Sequence, residues 1–258
     1  MTGEGKPGHS SIDERTLEAA KLGLEWLLQL QNRDGGIPTF CRGWTNLPFD
    51  RSSPDLTAHA IRAWTAWRPL LPKWDWRLHD AIERALRYLG KTRQPRRGWI
   101  PLWFGNQHTP DDENPTYGTA KVLLALQELD ADKFAEVDLL LAGAVMPLIE
   151  SQREDGSWGG GREGPASIEG TALAVEALTG LSRRSKGASR LLARCAQPAV
   201  AKGTRWLIER VEAGDWTQPS PIGFYFAKLW YYEKLYPLIF TVGALGRVAG
   251  DADSLPGQ

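Results

Sequence analysis

The sequence is poor in cysteine, which restricts the folds and sites that it can form. Its 258 residues include two cysteines, Cys41 and Cys195, which are far apart and belong to no C-x-x-C pattern. Such a pair supports neither a disulfide framework nor a zinc site, and a reducing, cytoplasmic compartment is the simplest expectation. The four histidines are equally scattered, and none pairs with a cysteine or a carboxylate at ligand spacing. We therefore predict no metal and no cofactor.

The sequence also lacks an excess of charge of either sign and any long apolar run. Lysine plus arginine and aspartate plus glutamate both number 31, and the basic residues are dispersed. No global field is available to attract nucleic acid, so no nucleic-acid partner is expected. No stretch of about 18 apolar residues occurs, and a membrane-spanning helix is not predicted. The first 11 residues have no apolar core of a signal peptide.

Tryptophan, in contrast, is abundant, and much of it falls in a repeated pattern. The chain contains 12 tryptophans. In four segments a helical stretch with an aromatic or apolar residue leads into a polar turn that contains glycine and often tryptophan. Taking Trp26, Tyr88, Pro147 and Trp206 as equivalent gives separations of 62, 59 and 59 residues. A fixed period of this kind indicates an array of similar helical units.

A second type of helix lies between the repeated segments. It has small residues and few charges, and three of its four members carry Thr-Ala near the start. The members are 55–64, 117–126, 168–178 and 235–245. Helices that are apolar nearly all round are expected to be buried, whereas the first type has polar outer faces. This alternation predicts an all-α fold, an α/α toroid or solenoid of about four helical hairpins.

The predicted domain covers nearly the whole chain. We place the α/α domain at residues 14–250. Flexible tails are expected at residues 1–13 and 251–258.

The turn residues of the repeat have a mechanical interpretation. A glutamine side chain can bond backbone groups at a neighbouring helix end, where amides and carbonyls lack partners. A tryptophan ring can stack over that bond and shield it from water. We therefore assign a structural role to Gln31, Gln152, Trp99, Trp158 and Trp216.

The layout of helix, glutamine, glycine and tryptophan resembles the QW repeat of squalene–hopene and oxidosqualene cyclases. The third segment fits the second half of that repeat from Gln152 to Trp158, while Gly143 and Pro147 replace its basic and aromatic positions. The first segment has Ile37 in place of the tryptophan, and the second has Arg93 in place of the glutamine. Related toroids share such repeats, so this pattern by itself indicates only a superfamily.

Three further stretches resemble the cyclase branch of that superfamily. Residues 53–59 resemble its D-V-T-A-H helix start. Trp103, with Tyr-Gly-Thr at 117–119, resembles its W-G-V-N-Y-x-Y-G-T segment with extra residues inserted. Residues 224–237 resemble the F-Y-L-x-Y-x-M-Y-R-H-x-F-P ending of bacterial cyclases. The resemblance is collinear over nearly the whole chain.

This resemblance implies a class II, proton-initiated polyprene cyclase domain that acts on an isoprenoid such as squalene. In that family a D-x-D-D motif protonates a terminal alkene or epoxide, and aromatic faces stabilise the carbocation by cation–π attraction. By position it places Phe40, Trp103, Tyr225 and Tyr232 near the substrate pocket, although each could instead belong to the core. It also implies peripheral membrane contact, without an evident amphipathic anchor in the sequence.

The acid motif itself does not occur in this sequence. In the family it precedes the repeat that matches residues 22–36, so its expected place lies before the first residues here. Asp55 has no acidic neighbours, and N-capping of a helix is the preferred interpretation. The inserted run Asp111-Asp112-Glu113 could supply an acid, bind a metal–diphosphate or form a solvated loop. We name Asp111 and Asp112 as the candidate catalytic residues.

The number of hairpins leads to a prediction about partners. A closed toroid of this superfamily uses six hairpins, so four predict an open arc, a subunit of a split enzyme or a fragment. An open arc exposes the apolar edge of an inner helix, which a second chain or self-association would cover.

Two functions remain open on the sequence alone. One is a polyprene cyclase-like protein or subunit, completed by another chain that carries the acid. The alternative is a non-catalytic descendant that binds an isoprenoid or a protein. A protein prenyltransferase β subunit is not supported, because its zinc site needs an aspartate two residues before a cysteine. Those two positions hold Thr39 and Ala193.

Overall fold

A computed structural model describes residues 12–42, 50–183, 187–224 and 228–252. Eight α-helices dominate the described part of the chain and form four consecutive hairpins, which confirms the predicted all-α architecture. The helices are α1 (Glu14–Leu30), α2 (Pro54–Trp67), α3 (Asp75–Thr92), α4 (Pro115–Leu126), α5 (Val137–Ser151), α6 (Ile168–Thr179), α7 (Gly187–Ala213) and α8 (Leu235–Ala252).

The eight helices form two layers that alternate along the chain. Helices α2, α4, α6 and α8 pack side by side in that order, and the outer helices α3, α5 and α7 each pack against the inner helix that precedes them. The inner helices α4 and α6 are buried along almost their whole length. The apolar helices α4 and α6 thus lie inside and the amphipathic helices α1 and α3 outside, as the sequence predicts, whereas the outer helix α5 is itself largely apolar.

Two small antiparallel sheets connect the loops. In the first, β1 (Ile37–Pro38) pairs with β2 (Ser52–Ser53). The second has the strand order β3 (Phe104–Gly105), β4 (Pro221–Phe224) and β5 (Leu229–Tyr232), and it joins the loop before α4 to the segment before α8. Strands of two to four residues are too short to show sustained alternation in a sequence, so sequence analysis could not predict them.

Polar side chains define where several helices begin. Asp13 caps α1, and its Oδ1 accepts a hydrogen bond from the Thr16 amide at 2.9 Å. Asn114 and Ser167 cap α4 and α6 in the same way, because their side-chain oxygens accept from amides three residues ahead. Each bond satisfies one of the amides that a helix leaves unpaired at its start. At the other end of the domain, α8 ends at Ala252, two residues beyond the boundary we predicted.

The turn glutamines connect neighbouring outer helices. Gln31 Nε2 donates to the carbonyl of Gly35 at 2.8 Å and to that of Ala81, in α3, at 2.9 Å. Gln152 Nε2 makes the equivalent bonds to Gly156 and to Ala199, in α7, both at 2.9 Å. The carbonyls on the neighbouring helices lie inside those helices rather than at their ends, where we expected them.

The glycine of the turn is required by its backbone geometry. Gly35 has φ of 94°, and an added Cβ would lie 2.2 Å from the carbonyl oxygen of Arg84 in α3. Gly156 has φ of 92° and approaches Lys202 of α7 in the same manner. Glycine adopts this left-handed region without steric strain, and its missing side chain allows the two outer helices to approach closely.

The turn tryptophans and the Thr-Ala helix starts form a second recurring contact. Trp99 and Trp158 are fully buried, and their indole N–H groups donate to the carbonyls of Leu89 and Leu148 at 2.8 and 2.7 Å. Their backbone amides donate to the hydroxyls of Thr119 and Thr171 at 3.0 and 2.9 Å. The amide of Ile37 donates to Thr57 Oγ1 at 3.0 Å, and Trp216 packs at the margin of the core.

Two departures from the repeat, Arg93 and Gly143, lie in contact with each other. Arg93 stands where the second repeat would have glutamine, and its side chain crosses the helix of the third repeat at Gly143. An added Cβ at Gly143 would lie 2.6 Å from Arg93 Cδ. The larger side chain at one position is therefore accommodated by the absence of a side chain at the other.

The last inner helix is open on one side. Leu235, Ile239 and Val242 of α8 expose more than half of their surface, and they follow one another at helical spacing. This is the exposed apolar edge that an open arc predicts. Across the described residues, none of the helices is long and apolar enough to cross a membrane.

Candidate functional site

Two charged residues mark the uncovered side of the inner helices. In α4, Lys121 and Pro115 are the only residues that are not fully buried, and in α6 Glu176 is the only one. Since neighbouring helices cover the other sides of α4 and α6, Lys121 and Glu176 lie on the side that faces the inside of the arc. Glu176 also approaches α8, since an added Cβ at Gly243 would lie 3.8 Å from its Oε2.

Lys121 lies between two aromatic rings. Its Nζ is 5.4 Å from the ring centre of Tyr117, one turn earlier in α4, and 5.2 Å from that of Phe240 in α8. Both distances are within the range of a cation–π interaction. Burial lowers the pKa of Lys121, and the charge of Arg62 acts in the same direction, while the carboxylates of Glu176 and Asp55 oppose this shift.

Asp55 is a buried carboxyl in the first turn of α2. Its residue surface is 1% exposed, Ser53 Oγ donates to its Oδ1, and its Oδ2 has no hydrogen-bond partner among the described residues. Burial raises the pKa of Asp55, although the Ser53 hydrogen bond and Lys121 act to lower it. An isolated carboxyl in such a place favours its neutral form. The expected N-capping role is not observed, because Ser53 is the residue at the N-cap position of α2.

The next turn of α2 presents an uncharged imidazole. The residue His59 is exposed, with the charges of Lys121 and Arg62 nearby. Burial lowers the pKa of His59 to about 4, and the charges of Lys121 and Arg62 also lower it. Arg62 forms a salt bridge of 2.7 Å with Glu128. At neutral pH His59 is therefore neutral, which is the form that can accept a proton.

Two further aromatic side chains adjoin the rings that Lys121 contacts. Phe104 of β3 lies against Tyr117 with ring centres 4.6 Å apart, and Tyr236 stacks on Phe240 in α8 at 5.2 Å. Burial raises the pKa of Tyr117, and nearby Asp55 adds to the shift. The second sheet brings these elements together, because β3 pairs with the strand that leads towards α8. We call this set the inner wall: Asp55, His59, Phe104, Tyr117, Lys121, Glu176, Tyr236 and Phe240.

The predicted pocket residues within the described ranges differ in burial. Trp103 is 6% exposed and meets Phe40 edge-on, with ring centres 5.9 Å apart. Phe40 itself is 66% exposed. Tyr232 is also exposed, and its hydroxyl accepts a hydrogen bond from Gln107 at 3.2 Å. Tyr225 lies outside the described residues. The structure therefore brings Phe40 and Trp103 together, while their role in binding stays a prediction.

The candidate acids Asp111 and Asp112 lie in a different environment. They form a short 3₁₀ turn in which both have positive φ, 60° and 56°. Asp112 pairs with Lys228 at 3.1 Å, and Asp111 is exposed. Asp111 lines a cleft of about 610 Å³, which holds none of the inner-wall residues. The charged residues of this cleft are Arg96, Arg97, Asp111, Glu113, Glu150, Arg162 and Glu163.

The two acidic regions thus offer different chemistry. The carboxyls of the cleft stand among arginines in an open site, whereas Asp55 is buried. No group of three or more histidines, cysteines and carboxylates in the described ranges could hold a metal ion. The catalytic role of Asp111 and Asp112 stays a prediction.

Sequence reasoning missed the central residues of the inner wall. Lys121 is a lone cation in a helix that is otherwise apolar from Thr116 to Leu126, and it follows Tyr117 by four residues, on the same face. That pattern could have marked Lys121 as a special position. Its contact with Phe240, in contrast, joins two distant hairpins and leaves no local signal in the sequence.

Comparisons with known proteins place the chain in a family. A sequence model of the squalene-hopene cyclase C-terminal domain matches residues 9–250. A terpene cyclase-glycosyl transferase fusion protein of Humicola fuscoatra is 27% identical over 273 residues, which cover 91% of this chain and 19% of the relative. The enfumafungin synthase of Hormonema carpetanum is 29% identical, with 81% of this chain and 16% of the relative covered.

A bacterial relative and a solved structure extend this comparison. A probable squalene–hopene cyclase of Sinorhizobium fredii is 26% identical over 89% of this chain and 36% of its own length. The ent-copalyl diphosphate synthase from Streptomyces platensis has the same fold, with a TM-score of 0.63 and 22% identity over 86% of this chain and 37% of that chain. The chain thus spans between one sixth and little more than one third of these proteins. The family match covers nearly all of the sequence, and the chain belongs to the squalene-hopene cyclase C-terminal domain family.

Proposed function

We propose that this chain binds an isoprenoid chain along the inner wall, as part of a terpene cyclase-like protein. The observation that carries the proposal is the meeting of aromatic rings from three separate elements: Phe104 lies against Tyr117, and Lys121 contacts the rings of both Tyr117 and Phe240. The buried carboxyl of Asp55 is near enough to Tyr117 to raise its pKa. Aromatic faces bury large apolar areas and also attract positive charge. The large apolar area of the ring faces suits the hydrocarbon chain of an isoprenoid.

Cyclisation would also need an acid that is still protonated near neutral pH. Such an acid requires burial or a neighbouring carboxylate to raise its pKa. Among the described carboxyls, Asp55 combines burial, a raised pKa and an oxygen without a hydrogen-bond partner. Glu169 is also buried with a raised pKa, but Ser220 donates two hydrogen bonds to it, at 2.7 and 2.9 Å. We therefore favour Asp55 as the proton-holding group on this wall.

The proposed isoprenoid binding has two versions, which differ in whether a proton donor is available to start cyclisation. In one, Asp55 supports an acid carried by a second chain or segment, and the assembled protein cyclises a polyprene. In the other, the chain binds an isoprenoid without turnover. Asp111 and Asp112 stay candidates for the first version, with the mixed-charge cleft as their site. A cytoplasmic location with peripheral membrane contact, and closure of the open α8 edge by a partner, also stay predictions.

Equilibrium binding tests the shared part of both versions. Squalene and a shorter polyprenol, delivered in detergent micelles, should quench tryptophan fluorescence in a saturable way, since Trp103 adjoins the wall. Phe240→Leu should weaken binding about tenfold, because it removes one aromatic face. Phe134→Leu is the matched control, because Phe134 stacks on His79 outside the wall. Absence of saturable binding by the wild-type protein would contradict the proposal.

Product analysis separates catalysis from binding. The chain is incubated with squalene and with polyprenyl diphosphates, alone and with candidate second chains, and the extracts are analysed by mass spectrometry. Cyclic products that disappear in Asp55→Asn support the cyclase version. Binding without product under every pairing supports the non-catalytic version.

A further inference from the structure

The space between the rings of Tyr117 and Phe240 is already occupied by a positive charge. Lys121 Nζ lies 5.4 and 5.2 Å from the two ring centres. A cation close to two aromatic faces is attracted by the negative potential above both rings. We call the space between these two rings the cation seat.

No salt bridge among the described residues holds the Lys121 ammonium in the seat. Glu176 and Asp55 act on Lys121 electrostatically, but neither forms a salt bridge with it among the described residues. Glu176 lies against α8, and Arg62, the other nearby cation, is paired with Glu128 at 2.7 Å. The aromatic rings are therefore the direct contacts of Lys121 in the described structure.

The position of Lys121 on the helix explains why it occupies the seat. Lys121 follows Tyr117 by one helical turn, so the two side chains lie on the same face of α4. It is the one described position of α4 beyond the first residue that neighbouring helices leave uncovered. The long aliphatic stem can lie along apolar surface while the ammonium reaches the rings.

We propose that Lys121 acts as a built-in occupant of the cation seat, so that the inner wall accepts neutral isoprenoid chains and rejects cationic ligands. This inference rests on the proposed isoprenoid binding and names its specificity determinant. A second cation at the seat would meet the like charge of Lys121 and find both ring faces engaged. Removing the ammonium would leave two ring faces without a cation, and the wall would then take a quaternary ammonium head group.

A pair of probes with equal chain length tests the proposal. Dodecyltrimethylammonium carries a fixed positive charge, and dodecanol is its neutral counterpart. The measured quantity is the ratio of the two association constants, obtained by calorimetry below the critical micelle concentration. In Lys121→Met this ratio should rise at least about tenfold over wild type, since a desolvated cation–π contact becomes available.

Two further variants separate the charge from the shape of the side chain. Lys121→Arg keeps a cation that also stacks on aromatic rings, so the ratio should stay within about twofold of wild type. Lys91→Met makes the same chemical change at an exposed lysine in the last turn of α3 and should leave the ratio unaltered. An unchanged ratio in Lys121→Met, or an equal rise in Lys91→Met, would overturn the proposal.

A spectroscopic measurement covers the case in which Lys121→Met does not fold. In wild-type protein with ¹³C-labelled lysine, the Cε protons of Lys121 should resonate upfield of the other lysines, because they lie over ring faces. Phe240→Leu should remove a large part of that shift. Cε protons at the position of an exposed lysine would contradict the seat.

The failure of this inference can be told from failure of the proposed function. If neutral squalene does not bind to wild type, isoprenoid binding is wrong. If squalene binds and the cation ratio does not respond to Lys121→Met, binding stands and the specificity role of Lys121 is wrong.

Discussion

The turns and the inner wall use the same helices in different ways. In the turns, contacts recur: Gln31 and Gln152 each bridge two carbonyls, and Thr119 and Thr171 each accept a tryptophan amide. On the inner wall the residues change from one inner helix to the next. Asp55 and Glu169 both stand two residues before the threonine of a Thr-Ala pair, but Tyr117 takes this place in α4. Lys121, two residues after that threonine, corresponds to His59 in α2 and to Leu173 in α6.

This difference teaches how a repeated fold carries a specific site. Recurring contacts satisfy the backbone at each turn, and they hold the outer helices in register. On the inner wall one oxygen of Asp55 has no hydrogen-bond partner among the described residues, and Lys121 meets rings rather than a salt bridge. In the turns, Oε1 of Gln31 is likewise buried without a partner. Unsatisfied buried groups lower stability, so their retention is typical of functional positions.

The largest predicted effect is the loss of stability on removing a turn tryptophan. Trp158→Ala removes a fully buried indole and its hydrogen bond to Leu148, and it should lower the free energy of unfolding by about 3–5 kcal/mol. Trp76→Ala is the control, because Trp76 is 71% exposed and should change stability by less than about 0.5 kcal/mol. Urea titration followed by circular dichroism measures both. Equal losses for the two variants would remove the special role of the turn tryptophan.

An intermediate effect concerns the threonines that connect turn and inner helix. Thr171→Val deprives the Trp158 amide of its acceptor and should lower stability by about 1–3 kcal/mol. Thr179→Val, in the same helix, loses only a bond to the carbonyl of Val175, which belongs to that helix. Its loss should be clearly smaller, since no partner amide is left buried and unpaired. Thermal and urea unfolding compare the two variants, and the reverse order would contradict this account of the Thr-Ala motif.

The smallest predicted effect is on how the free energy of unfolding changes with pH, and it concerns Asp55 of the inner wall. Burial raises the pKa of Asp55 above its ordinary value of 3.8. The folded state then binds the proton more tightly than the unfolded state, so stability falls as pH rises from about 3.8 to the folded pKa. Asp55→Asn should remove that fall. The free energy of unfolding of the variant minus that of wild type should therefore increase as the pH rises.

Asp75 supplies the control of opposite sign. Its hydrogen-bonded ion pair with Arg68 lowers the pKa of Asp75 below 3.8. That pair adds stability above this value and loses it as the pH falls through the folded pKa. Asp75→Asn should therefore be at its greatest disadvantage near neutral pH. Urea unfolding at a series of pH values distinguishes the two slopes, and the same sign for both variants would show that Asp55 is not a buried neutral acid.

Much of the scaffold could be predicted from the sequence because it repeats. The spacing of Trp26, Tyr88, Pro147 and Trp206 predicted four hairpins, and the structure confirms the all-α toroid-like fold. The small-residue helices are the inner ones, as their lack of charge indicated. Repetition averages over local exceptions, so these features were visible despite the departures at Ile37 and Arg93.

The inner wall could be predicted only in part. The family resemblance directed attention to Phe40 and Trp103, which do meet. It could not indicate that Lys121 lies between Tyr117 and Phe240, because that arrangement depends on how α4 and α8 pack across two hairpins. The predicted cap at Asp55 failed for a local reason, since Ser53 stands at the cap and turns the carboxyl of Asp55 into the interior.

Photolabelling most directly tests the central claim that the inner wall binds an isoprenoid. A farnesyl chain with a terminal diazirine is irradiated with the wild-type protein, and the labelled peptides are mapped by mass spectrometry with unlabelled squalene as competitor. The account predicts labels that squalene displaces, concentrated between Phe104 and Lys121 and between Tyr236 and Phe240. Labels confined to the mixed-charge cleft around Asp111, or to the exposed face of α8, would contradict it.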